Sequence, residues 1–164
     1  MKALASLLFV ALIHFNSSAQ TNPHAIGLRG GLGNFGTLGE ISYQRGISQS
    51  NRLELDLGWT RHGSHGHSHI YLAGIYQWVW NLSDGLNWYA GAGAILGLYS
   101  DHTDSNNDGF TISAAGQIGL EYDFNTHGVP LLLSVDMRPT WRFIGYSGHG
   151  NTGYGGAFAI RYTF

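Results

Sequence analysis

The sequence predicts an all-β fold: an eight-stranded antiparallel up-and-down transmembrane β-barrel with a polar, filled interior. Three observations lead there. Short stretches of strict apolar/polar alternation recur along the chain, the mark of strands with one apolar and one polar face. The 164 residues include 25 Gly and no Cys, and 13 % are aromatic, which suits a closed all-β architecture held without cross-links. No stretch after residue 20 has the length or helical period of a membrane-spanning helix. A membrane crossing would therefore need a closed barrel, which leaves no backbone group unpaired in lipid.

The N-terminus reads as a cleaved signal peptide over residues 1–19. Lys2 supplies a positive start, residues 3–13 are apolar apart from Ser6, and Ser17-Ser18-Ala19 is a small-residue cleavage site. The apolar run is short of the roughly 20 residues that a membrane helix needs. Residues 20–164 then form a single barrel domain with seven Arg, no Lys and ten acids, a formal net charge of −3. Mild acidity argues against nucleic acid as a partner, since such binders carry a basic patch. Without Cys there is no lipid-anchored cysteine.

The first strand, about 25–32, sets Ile26, Leu28 and Leu32 against Gly27, Arg29 and Gly31. The second, 37–45, sets Ile41 and Tyr43 against Glu40, Ser42 and Gln44, and 46–51 is a turn. In the third, 52–60, Leu53, Leu55, Leu57 and Trp59 alternate with Arg52, Glu54, Asp56 and Gly58. A His-rich loop, 61–68, leads to the fourth, 69–81, with Ile70, Leu72, Tyr76, Trp78 and Trp80 opposed by Ala73, Gln77 and Asn81. Ser83-Asp84-Gly85 is a hairpin signal. The fifth, 86–99, has Trp88, Ala90, Leu96 and Leu98 on one face, and Asn87, Tyr89, Gly91, Gly93 and Gly97 on the other. After a polar loop, 100–109, the sixth, 110–123, places Phe110, Ile112, Ile118, Leu120 and Tyr122 opposite Thr111, Gln117, Glu121 and Asp123. Residues 125–128 turn the chain into the seventh, 129–138, with Val135 and Met137 against Ser134, Asp136 and Arg138. Pro130 near its start is tolerable. A long loop, 139–152, precedes the eighth, 153–164, where Tyr154, Phe158, Ile160, Tyr162 and Phe164 alternate with Gly155, Ala157, Ala159, Arg161 and Thr163.

The connections after strands two, four and six are short and those after three, five and seven are longer, while the one after strand one is short. That asymmetry, with an even strand count, fits an outer-membrane barrel with both termini periplasmic. Tyr43, Trp80, Trp88, Tyr122, Tyr162 and Phe164 fall at the short-turn end. Phe35, Trp59, Phe110, Trp141 and Tyr154 fall at the other. Two aromatic girdles around an aliphatic band match the two interfaces of a bilayer.

The polar face then lines the lumen. It carries Arg29, Arg52, Arg138 and Arg161 with Glu40, Glu54, Asp56, Glu121, Asp123 and Asp136. Eight strands leave room only for side chains, so these charges are expected to pair. Gly91, Gly93 and Gly97 are expected to make room for them. Folding strands one and two about residues 34–35 puts Arg29 opposite Glu40, an expected ion pair. For Arg161 the expected partners are Glu121 and Glu54. Such a cluster could be an ion path or a catalytic acid pair. Because any narrow barrel needs filling, a structural plug is the favoured reading.

The pattern as a whole resembles the small eight-stranded outer-membrane proteins of the OmpX type and the transmembrane domain of OmpA. The ending Ile160-Arg161-Tyr162-Thr163-Phe164 resembles the C-terminal signal strand of outer-membrane barrels. Residues 51–59 and 75–80 are also similar to small barrel proteins of the Bacteroidetes. The resemblance implies a monomer among outer-membrane lipid and lipopolysaccharide, assembled by the barrel-assembly machinery through its C-terminal strand. OmpX-type proteins are linked to adhesion through long projecting strands, whereas the outer loops here are short and polar.

Two loops carry ligand-like patterns. His62, His65, His67 and His69 have the spacing to share a Zn or Ni ion. Residues 104–109 copy the opening of a calcium loop, but position twelve is Ala115, so the bidentate acid is missing. No other cofactor is indicated. The lipid A 3-O-deacylases resemble the chain in size and use His-x-Ser followed by Glu. Here Ser147-Gly148-His149 reverses the order, and no acid follows, which leaves a weak triad. The expectation is a non-enzymatic outer-membrane barrel without an open pore, in a structural or surface-interaction role. A metal-binding surface module is the alternative, and a lipid A-modifying enzyme ranks below it.

Overall fold

Eight alternating stretches become eight strands that close on themselves. The computed structural model describes residues 21–33, 36–62, 67–100, 109–145 and 151–164. The strands are β1 (His24–Gly33), β2 (Gly36–Gly46), β3 (Asn51–His62), β4 (His67–Ser83), β5 (Leu86–Ser100), β6 (Gly109–Asp123), β7 (Leu131–Ile144) and β8 (Thr152–Thr163). Each pairs antiparallel with the next, and β8 pairs with β1 to close the barrel. The expected signal peptide and Phe35 lie outside the described residues.

Turn chemistry follows the sequence. Between β4 and β5, Gly85 takes φ 74°, and the register shifts between Asn81 and Ser83, so a bulge accompanies the Asp84-Gly85 turn. Between β6 and β7, Phe124–His127 is a 3-10 turn. The Asp123 carboxylate caps it by accepting from Asn125 N, and Gly128 ends it at φ 76°.

Two expectations are corrected. β7 does not stop at Arg138 but continues through Pro139 to Ile144, so the first six residues of the expected loop 139–152 are strand. Pro139 survives inside it because the ladder to β6 opens there: pairing passes from Ala115↔Thr140 to Ile118↔Met137. The missing N–H therefore forfeits no bond on that side, while Pro139 stays opposite Tyr154 of β8. At its other end β7 starts at Leu131, and the Pro130 carbonyl accepts from Thr163 N at 3.2 Å. The His-rich loop is also shorter than expected. β3 and β4 run on until His62 pairs with His67.

The faces are inverted relative to a water-soluble barrel. Leu28 is 61 % exposed, Leu32 72 % and Phe158 50 %, whereas Arg161, Glu54 and Asp56 are fully buried. Apolar side chains therefore point outward and the charges inward. Aromatic rings collect at the short-turn end: Trp80 stacks on Trp88 at 4.3 Å between centroids, and His24 stacks on Phe164 at 5.4 Å. Trp59, Phe110, Trp141 and Tyr154 stand exposed at the opposite end, joined by Phe143 from the lengthened β7.

Candidate functional site

Inward-facing residues of all eight strands meet in one hydrogen-bonded network. In the β1–β2 register Arg29 stands directly opposite Glu40. Its Nη1 donates to Glu40 Oε2 at 2.5 Å, while Nε and Nη2 grip Asp136 of β7 at 3.1 and 2.5 Å. The planar guanidinium fork allows that two-point grip, which an ammonium could not make.

Arg138 of β7 reaches three acids. It donates to Glu40 at 3.3 Å, to Glu54 at 2.9 Å and to Asp56 at 2.6 Å. Arg161 of β8 donates to Glu54 at 2.9 Å and to the hydroxyls of Ser42 and Ser134 at 3.0 and 2.8 Å. Glu54 thus becomes the hub, accepting also from Gln44 at 2.6 Å and Gln117 at 3.0 Å. Of the two partners expected for Arg161, only Glu54 is met. Glu121 is held instead by Arg52, through bonds of 3.1 and 2.5 Å. Arg52 also donates to Gln77 at 2.5 Å and lies 5.0 Å from the centre of the Tyr89 ring. At the short-turn mouth Asp123 accepts from Asn22 at 2.8 Å and from Asn125.

Two tyrosines belong to the network without having been singled out from sequence. Tyr71 donates to Glu40 at 2.5 Å, and Tyr89 donates to Asp136 at 3.3 Å. Each stands directly across a ladder from a glycine, Tyr71 from Gly58 and Tyr89 from Gly119. A Cβ at either glycine would overlap the ring, so the tyrosines fill the space that the glycines leave. The available signal was parity: Tyr71 lies between the outward Ile70 and Leu72. Of the strand-five glycines, Gly91 lies against Ile75 and Gln77, and Gly97 against His69 and Thr111. Gly93 instead lets the backbone of Gly74 approach.

The ligand-like loops fare differently. His69 is part-buried near the β3–β4 hairpin end of β4, within 3.3 Å of the Thr111 hydroxyl and stacked on Tyr71. His62 and His67 are placed by their backbones, while His65, residues 104–108 and Ser147-Gly148-His149 lie outside the described residues. Among the described residues no group of three or more His, Cys, Asp or Glu is arranged to hold a metal ion.

Solved structures of known proteins share this architecture. The N-terminal β-barrel domain of Pseudomonas aeruginosa OprF matches with a TM-score of 0.69 at 15 % identity, over 88 % of this chain and 98 % of that one. The chain has the fold of the small outer-membrane barrels. Neisserial surface protein A matches it at 0.61 and 17 % identity, over 86 % of this chain and 94 % of its own. The outer membrane enzyme PagL matches at 0.52 and 9 % identity, over 85 % and 99 %. No protein-family model and no curated protein matches the sequence. Within the outer-membrane barrel fold these likenesses establish architecture, and they do not bear on the Bacteroidetes resemblance.

Proposed function

We propose that the protein resides in the outer membrane as a monomer with both barrel termini periplasmic, in a structural or surface-interaction role, without enzymatic activity and without an open pore. One observation carries this reading: the charges are inside and paired, while an apolar band edged by aromatics faces outward. Only a hydrocarbon surrounding rewards that inversion. The network also crosses the lumen, from Arg161 of β8 to Glu54 of β3 and from Arg52 of β3 to Glu121 of β6. Such filling supports a plug and not a channel. Lipopolysaccharide and lipid are the surrounding partners, and the barrel-assembly machinery would read β8.

Refolding into lipid vesicles tests this directly. The folded form should migrate differently on a gel before and after boiling, and vesicles that contain it should retain a small entrapped dye. Absence of heat-modifiable migration would refute the membrane barrel, and dye leakage proportional to protein would refute the closed lumen.

A second reading, a divalent-metal surface module, has one observation in its favour. The β3–β4 pairing sets His62 opposite His67 at the end of that hairpin, with His69 two residues further along β4. A lipid-modifying enzyme ranks below both. The likeness to an outer-membrane enzyme supports only that such a fold can host catalysis.

A further inference from the structure

The interior charges do not balance. Below the short-turn mouth, where Asp123 is held by Asn22 and Asn125, the lumen buries five carboxyl groups: Glu40, Glu54, Asp56, Glu121 and Asp136. Four guanidiniums face them, from Arg29, Arg52, Arg138 and Arg161. Among the described residues one negative charge is left over in this buried stretch, where an unbalanced charge is costly.

The carboxyl groups are not equally supported. Glu54 accepts from Arg138, Arg161, Gln44 and Gln117. Glu40 accepts from Arg29, Arg138 and Tyr71. Asp136 is gripped twice by Arg29 and once by Tyr89, and Glu121 twice by Arg52 and once by Asn87. Asp56 accepts at Oδ2 from an Arg138 nitrogen that it shares with Glu54, and its buried Oδ1 has no partner. Gln44 Oε1, an orphaned acceptor on the same inner face of the neighbouring strand, also lacks a donor. In the same corner Arg138 Nε, a donor, lacks an acceptor, so the shortfall is one of positive charge and not of hydrogen-bond donors.

We propose that the barrel interior is a proton-binding site, with the proton held on Asp56 at neutral pH. The charged groups that face Asp56 are Glu54 on its own strand, Glu40 from β2 and Arg138 from β7. Beyond them, Tyr71 of β4 and Arg29 of β1 bond to Glu40, and Arg161 of β8 bonds to Glu54. Directly across the ladders stand Ala73 and Ser42, whose hydroxyl accepts from Arg161 and keeps its own proton to donate. Of the acids, Asp56 is the one whose neutral form sacrifices least. Protonation leaves four carboxylates for four guanidiniums and turns an orphaned acceptor into a donor. A metal ion fits less well, because Arg138 occupies the other oxygen of the same carboxyl group.

The test compares the refolded full barrel with its Asp56→Asn variant, since an amide mimics the neutral acid in shape and charge. At pH 7 the wild type should show the infrared carbonyl band of one protonated carboxyl group, sensitive to deuterium exchange and missing from Asp56→Asn. A native proton that the unfolded chain lacks makes stability fall as pH rises. Relative to the variant, the wild-type unfolding equilibrium constant should therefore rise tenfold per pH unit from about pH 4, where an unfolded Asp loses its proton, toward neutrality. No band in the wild type, a band that persists in Asp56→Asn, parallel pH profiles, or failure of the variant to refold where the wild type does would each overturn the proposal.

Discussion

The Arg52–Glu121 pair offers the cleanest measure of what the filled lumen contributes. Replacing Arg52 by Met keeps much of the stem volume and removes the cation. Glu121 then loses both of its guanidinium bonds and keeps only Asn87, at 3.2 Å. Leaving a buried charge without its partner costs about 3–5 kcal/mol, and the lost contact with the desolvated Tyr89 face adds about 1–2 kcal/mol. Against a typical total stability of about 5–15 kcal/mol, Arg52→Met should be severely weakened. Adding Glu121→Gln removes the stranded charge, so the double variant should regain about 2–4 kcal/mol relative to Arg52→Met. Urea unfolding from lipid vesicles, followed by tryptophan fluorescence and gel migration, measures all three. A single substitution costing under about 1 kcal/mol, or a double variant whose cost equals the sum of the singles, would refute the buried pair.

Two further outcomes are expected. Leu28→Arg puts a charge on the outward face of β1 and should lower the stability of the vesicle-inserted barrel by about 2–4 kcal/mol; a negligible change would mean that this face meets water. Calorimetric titration with Zn or Ni should give the same heats for the wild type and for a variant with His62, His65, His67 and His69 all changed to Ala, whereas heats lost in the variant would favour the metal reading.

The strand faces were legible because barrel geometry adds nothing to a period of two. Once Leu53, Leu55 and Leu57 share a face, Glu54 and Asp56 share the other wherever the strand sits. Arg29 and Glu40 were legible as a pair because a short hairpin fixes its own register. Arg161 shows where this reasoning ends. Its partners lie on β2, β3 and β7, and which of them it meets depends on the stagger of the closed barrel, a global quantity that no local stretch encodes. β7 was misread for a different reason. Pro139 argues for a strand end by local rules, and only the opening of the β6 ladder makes it harmless.

The wiring of the lumen has a consequence for how the barrel holds together. Ladder bonds join neighbours in sequence order, so hairpins could form one at a time. The charges do not follow that order. Arg29 of β1 needs Asp136 of β7, Arg161 of β8 needs Glu54 of β3, and Arg138 of β7 needs Glu40 of β2 together with Asp56 of β3. Three of the four arginines thus reach full pairing only after β8 has met β1. In hydrocarbon an open sheet would hold those cations with acids missing, at a cost of several kcal/mol each, in addition to two unpaired backbone edges. Closure satisfies the edges and the charges in the same step. The interior network therefore reinforces the seam between β8 and β1, whose ladder bonds are of the same kind as those between any other pair of strands.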